Sequence, residues 1–179
     1  AVFQEGYRDG FAADADHLKT LEDIDRTFNA GFTMYTLDPS DYVDDLADTY
    51  DLKTLREKFE GLPWKELGCD PRSCLNRYVG PSFRLRSAEG EVDITFSEET
   101  LMRSAVKYSR AIAHVLKMYN RLVELFDGKS FDLEISVDET ASPTTPQEHF
   151  FIVSEFKRLG IRFDGLALRF VGAFEKAVD

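Results

Sequence analysis

The chain has 179 residues, 43% apolar and 31% charged, with a formal net charge of −11 from 33 acidic against 22 basic residues. This composition excludes disordered and collagen-like classes, and no apolar stretch approaches the ~18 residues of a membrane span. Excess acid repels a phosphate backbone, and the nearest basic pair, Arg84 with Arg86, is followed by Glu89, Glu91 and Asp93, so neither nucleic acid nor membrane is an expected partner and the cytoplasm is the default location.

The first β-rich run, residues 11–15, follows Tyr7-Arg8-Asp9-Gly10 and closes in Ala15-Asp16-His17-Leu18-Lys19-Thr20. The same grammar recurs where Phe28-Asn29-Ala30-Gly31 leads into residues 32–37 and where Lys157-Arg158-Leu159-Gly160 leads into residues 161–168. Glycine suits the left-handed position just past a helix, so each glycine marks a helix stopping and a strand starting. Thr20, ahead of Leu21-Glu22-Asp23-Ile24, supplies an N-cap hydroxyl before acidic first-turn residues.

Residues 38–96 break this αβ rhythm. Asp38-Pro39-Ser40-Asp41 is a turn, residues 52–59 are helix-like, and residues 83–86 with 91–95 form a hairpin round Ala88-Glu89-Gly90. The stretch is expected as an insertion on the rim of the sheet, either a lid or a decoration, because long insertions cost little. Within it, Cys69-Asp70-Pro71-Arg72-Ser73-Cys74 is compatible with half a zinc site, a disulfide across a proline turn, or two unrelated thiols. No second Cys or His pair completes a zinc motif, so two reduced thiols in a loop are expected.

The longest helix starts at Ser97-Glu98-Glu99, repeats Leu101, Ala105, Tyr108, Ile112, Val115, Leu116, Tyr119, Leu122 and Leu125, and ends at Asp127-Gly128. Residues 131–137 then alternate apolar and polar before Asp138 and Glu139. Thr145-Pro146-Gln147-Glu148 combines an N-cap, a first-position proline and a third-position glutamate, ahead of Phe150, Phe151, Val153, Phe156 and Leu159 at helical spacing. The sum is an α/β fold with four parallel strands and outer helices. It amounts to half of a (β/α)8 barrel, in a chain short of the ~250 residues that a whole one takes. Residues 1–179 are therefore expected as a single partial barrel domain with residues 38–96 as its rim insertion. Half a barrel exposes an edge and an inner face, which a homo-oligomer or the remainder of the barrel would cover.

Parallel sheets collect chemistry at the carboxyl ends of their strands, which singles out three clusters. Asp16, His17 and Lys19 are the densest. Imidazole is a common ligand of Zn²⁺, Mn²⁺ or Ni²⁺, and a neighbouring carboxylate can take a proton; the competing reading has His17 capping a strand and Lys19 solvated. Adjacent strand residues face opposite sides, so Asp16 and His17 share a site only if the strand has already given way to a loop. Asp138 and Glu139 are crowded carboxyls, suited to an acid near neutral pH, or else turn chemistry before Thr140, Ser142, Thr144 and Thr145. Asp38 and Asp41 fit an Asx turn, and Arg169 is either a carboxylate clamp or a surface arginine. His114 and His149 lack acidic neighbours and are expected to be structural. GxGxxG, P-loop, GxSxG and HExxH motifs are absent, which leaves the common nucleotide, serine-hydrolase and zincin routes without support.

Four blocks carry a family resemblance. Residues 10–20 (GFAADADHLKT), residues 31–40 (GFTMYTLDPS), Ser136-Val137-Asp138-Glu139-Thr140 and Arg169-Phe170-Val171-Gly172-Ala173-Phe174-Glu175-Lys176 together resemble the tagaturonate/fructuronate epimerases of hexuronate breakdown. The resemblance implies a barrel isomerase, dependent on a divalent metal, that interconverts D-tagaturonate and D-fructuronate by inverting C4. It implies Asp16 as proton acceptor, Glu139 as proton donor and His17 as a metal ligand. Lys19, Asp38, Asp138 and Arg169 are then candidates for holding the sugar acid. Family members continue past the last block into strands with further histidines, so the chain is expected to be a fragment that does not turn over alone. A non-catalytic α/β module that binds a sugar acid is the alternative, and fold analogy alone would also admit an aldolase.

Overall fold

A computed structural model describes residues 4–8, 13–87 and 90–172. Its first αβ units follow from local capping. Strand β1 (Asp14–Leu18) ends at Thr20, whose Oγ accepts from the Asp23 amide at 3.2 Å while Asp23 Oδ2 accepts from the Thr20 amide at 3.0 Å. This reciprocal box starts α1 (Leu21–Asn29). Gly31, at φ +90°, turns the chain out of the helix toward β2 (Met34–Leu37), as expected of a glycine in that place. The corresponding Gly10, with residues 11–12 of the expected first strand, lies outside the described residues.

The segment after β2 opens with two short 3-10 turns, Ser40–Tyr42 and Asp45–Asp48. It continues through α2 (Leu52–Glu60) and α3 (Pro71–Tyr78) to a hairpin of β3 (Ser82–Ser87) and β4 (Gly90–Thr95), paired Phe83 to Ile94 and Leu85 to Val92. Helix α3 corrects the reading of residues 69–74 as a loop. Asp70 is its N-cap and Pro71 its first residue, so the proline opens a helix here. Both thiols are free, and Cys74 is buried inside the helix.

Helix α4 (Glu98–Phe126) is the spine of the molecule, capped by Ser97 and closed by Asp127 in the left-handed region at φ 46°. Of its expected apolar stripe, Leu101, Ala105, Tyr108, Ile112, Val115, Tyr119 and Leu122 are buried, with Leu116 and Leu125 packed partly buried beside them. Strand β5 (Asp132–Val137) follows, then α5 (Pro146–Arg158), opened by the Thr145–Glu148 capping box, and β6 (Gly165–Leu168). The last strand starts four residues later than expected. Ile161 and Phe163 pack against the end of α5 instead, Phe163 edge-on to Phe156 at 5.6 Å, and the Asp164 carboxylate accepts from the Leu133 amide at 3.0 Å.

The four long-range strands form one parallel sheet in the order β1-β2-β5-β6. Ala15, Tyr35, Leu37, Leu133, Ile135, Val137 and Leu168 are buried in the core with α1, α4 and α5. Alternation along the strands sends Asp14, Thr36, Glu134 and Ser136 to the other face. Among the described residues no helix is long and apolar enough to cross a membrane.

Candidate active site

Register brings the strand ends together: Leu18 pairs with Leu37, Leu37 with Ile135, Ile135 with Leu166, and Val137 with Leu168. The segments carrying Asp16, His17 and Lys19, Asp38 and Asp41, Asp138 and Glu139, and Arg169 therefore all lie at the carboxyl end of the same sheet.

The geometry of Asp16 and His17 comes from a bulge and not from a loop. Between Ala15, paired with Tyr35, and Leu18, paired with Leu37, β1 spends one more residue than β2. His17 absorbs that residue at φ +56°, a region that costs a non-glycine roughly 1–2 kcal/mol. The alternation is broken there, and Nε2 of His17 stands 3.6 Å from Oδ1 of Asp16. Its Nδ1 faces Asp38 Oδ2 at 3.3 Å. A carboxylate on Nδ1 favours the tautomer that leaves Nε2 with its lone pair.

Asp38 is 4% exposed and engaged through both oxygens. Oδ1 accepts from the Ser40 amide at 2.9 Å, the expected Asx turn, while Oδ2 faces His17 and, at 3.5 Å, Lys19 Nζ. Burial alone would raise its pKa, but the Ser40 donors, His17 and the Lys19 charge together hold it below the usual carboxylate value. Lys19 also donates to Ser40 Oγ at 3.2 Å and Asp41 Oδ1 at 3.1 Å. The Asp41 bond leads the causes that raise its pKa against burial.

The polar sheet face continues the site inward. Thr36 Oγ donates to Asp14 Oδ2 at 2.6 Å, and Ser136 Oγ donates to Asp138 Oδ1 at 2.6 Å. Between them lies Glu134, which the sequence reading did not single out. Burial, then the negative charges of Asp14, Asp16 and Asp138, push its pKa up. On β6 its neighbour is Gly165, where a Cβ would stand 3.0 Å from Glu134 Oε2. The signal was present in Asp132-Leu133-Glu134-Ile135-Ser136, whose polar alternates share one face, but alternation alone reads them as solvated.

Glu139 is exposed, two residues past the end of β5. The backbone oxygen of Arg169 accepts from the Thr144 amide at 2.8 Å and so ties the segment after β6 to that after β5. His114 is structural, as expected: its Nε2 lies 2.9 Å from the Lys19 carbonyl oxygen, and its ring stacks on Tyr42 at 4.0 Å. Among the described residues no three or more His, Cys, Asp or Glu side chains converge as a group able to hold a metal. His17 fits one position of such a site, with Asp38 behind it and Asp16 beside it. A full ligand set is not formed by these residues.

The tagaturonate epimerase family, UxaE, matches residues 1–179. The chain is 45% identical over 179 residues to the tagaturonate/fructuronate epimerase of Thermotoga maritima, covering 99% of this chain and 34% of that protein. Crystal structures of the fructuronate-tagaturonate epimerase UxaE from Cohnella laeviribosi superpose on it with a TM-score of 0.82, at 38% identity for a glycerol complex and 36% for the native form. Each match covers 98% of this chain and 34% of that one, so the chain spans about a third of the length of the relatives it matches. On the family match across residues 1–179 and the 45% identity, the chain belongs to the tagaturonate epimerase family.

Proposed function

We propose that this chain supplies part of the active site of a hexuronate epimerase that interconverts D-tagaturonate and D-fructuronate by inverting C4, and that its four strands are a portion of a (β/α)8 barrel. The observation that carries the reading is the bulge in β1, which accepts a left-handed histidine and so brings Asp16, His17 and Asp38 together at the carboxyl end of the sheet. Strain at that place is what a functional constellation accepts and a packing element has no use for.

Inversion at C4 requires the configuration of that carbon to be lost and restored, with one group accepting a proton from the substrate and another returning one. Asp16 is the acceptor in this reading, and the exposed Glu139 is the donor. Asp38 works through its neighbours, orienting the imidazole and Lys19. Lys19, with Asp138 and Arg169, faces the sugar acid, whose carboxylate suits a cation. A divalent cation such as Zn²⁺, Mn²⁺ or Ni²⁺ would polarise a substrate oxygen, with His17 giving one nitrogen and other ligands coming from outside the described residues. The polar sheet face would be covered by the rest of the protein or by a second copy of it.

The test is to incubate the whole purified protein with D-tagaturonate and follow D-fructuronate by chromatography. Formation of D-fructuronate, and of D-tagaturonate in the reverse direction, supports the reading. Saturable binding of both without interconversion would favour a non-catalytic sugar-acid module.

A further inference from the structure

Lys107 has no role in the site described above, yet its position is unusual. It lies mid-way along the first half of α4, it is 0% exposed, and its three ammonium protons meet three acceptors: Ser142 Oγ at 2.8 Å, Glu148 Oε1 at 3.0 Å and Asp48 Oδ2 at 3.1 Å. Glu148 belongs to α5, which packs on α4. The other two acceptors belong to segments that leave the carboxyl ends of neighbouring strands, Asp48 after β2 and Ser142 after β5. These two segments also hold each other, since Ser142 Oγ donates to Asp48 Oδ2 at 2.9 Å and the Ala141 amide donates to Asp45 Oδ1 at 3.1 Å. The Lys107 carbonyl in turn accepts from the Asp44 amide at 3.0 Å.

Fold stability does not call for a lysine there. A well-packed apolar side chain commonly serves stability as well as a buried ion pair or better. What an apolar side chain lacks is direction: it does not fix two loops in one orientation. The loop held by this clamp is the one that carries Asp138 and Glu139. Thr140, two residues past Asp138, donates its Oγ to the Ser142 carbonyl at 2.9 Å.

We propose that Lys107, acting through Ser142, is a positioning residue that locks the loop bearing Asp138 and Glu139 to the segment of residues 44–48, and so sets where the proton donor stands. The inference rests on the functional reading above for what the loop does, and on the hydrogen bonds alone for the clamp itself.

Removing Lys107 leaves Glu148 buried without its cation, and Lys107→Met endangers folding, so the test uses Ser142. In the whole protein, Ser142→Ala keeps the Lys107–Glu148 pair and cuts only the loop arm. It is expected to lower kcat about 10-fold, because small misplacements of a reacting group are costly, with KM within about two-fold and Tm within about 4 °C. Amide exchange over residues 138–145 should speed up about 10-fold as the loop opens locally. Ser142→Thr, which keeps the hydroxyl, should restore both readouts. Wild-type kcat and exchange in Ser142→Ala would overturn the proposal, as would a loss of activity that only tracks a loss of folded protein. If the unsubstituted protein does not interconvert the two sugar acids, the functional reading fails and the catalytic part of this inference fails with it, while exchange still decides whether the clamp exists.

Discussion

Replacing Asp38 by Asn isolates the charge that organises the His17 end of the site. The amide keeps an oxygen for the Ser40 amide, now 2.9 Å away, but sets an NH₂ group against His17 Nδ1, which lies 3.3 Å from Oδ2. Donor against donor turns the imidazole to the other tautomer, placing a proton on Nε2, and lost carboxylate support of this kind costs roughly 10–100-fold in metal affinity or activity. The Lys19–Asp38 contact at 3.5 Å corresponds to a gross Coulomb energy of about 5 kcal/mol at an effective dielectric of 20. Lys19 is 40% exposed and keeps Asp41, so solvent screening reduces its net share to about 1 kcal/mol. With the weakened histidine bond the whole change should cost about 1–2 kcal/mol, or a Tm lowered by ~2–8 °C in a domain of this size. The folded-state pKa of Asp38 is depressed, so its contribution is present above its unfolded value and is lost as pH falls through the folded value. The Tm difference between the two proteins should accordingly be full at pH 7 and shrink below about pH 4. Thermal melts at pH 7, 5 and 3, with turnover measured at pH 7, check this. A pH-independent Tm difference together with unchanged turnover would refute the claim that Asp38 holds His17 in place.

Three further outcomes are expected. His17→Gly should melt about 2–4 °C above His17→Ala, because glycine accepts the +56° φ that alanine resists, while both lose activity and bound metal; equal melting would remove the strain argument. Gly165→Ala should cost only about 1 kcal/mol, since the Cβ meets the movable end of Glu134 at 3.0 Å, yet it should depress turnover by shifting that carboxyl; a Tm loss beyond ~10 °C would mean Glu134 cannot yield. In the native protein at pH 8, iodoacetamide should modify Cys69 and spare Cys74, whose thiol is pushed up to about 12, chiefly by burial and then by Glu155; equal rates by mass spectrometry would contradict the packing of α3.

What was legible in the sequence was whatever local chemistry announces. Thr20 and Thr145 mark their helices because a capping hydroxyl and an acid three residues on satisfy the same amides in any context. Asp70-Pro71 carries an equally local signal, and α3 was missed only because proline also begins turns. The bulge is different in kind. Nothing in Ala15-Asp16-His17-Leu18 states that His17 takes a left-handed φ, since the neighbouring strand's register dictates it. Lys107 shows the same limit: a one-sided apolar stripe leaves a lysine in water, but α4 is covered on several sides, so Ser104, Lys107 and Ser109 are buried as well. Glu134 and Asp14 fell to the alternation rule, which names two faces without saying that the polar one is a site.

The central claim is that Asp16 and Glu139 are the proton-handling pair of one site and that His17 serves binding. It is tested most directly by measuring epimerisation of D-tagaturonate and bound metal side by side for Asp16→Asn, Glu139→Gln and the unsubstituted whole protein. A carboxamide keeps shape and removes proton chemistry, so each variant should lose about 10²-fold or more in turnover with metal content near that of the unsubstituted protein. Turnover within a few-fold of the unsubstituted protein in either variant would contradict the claim.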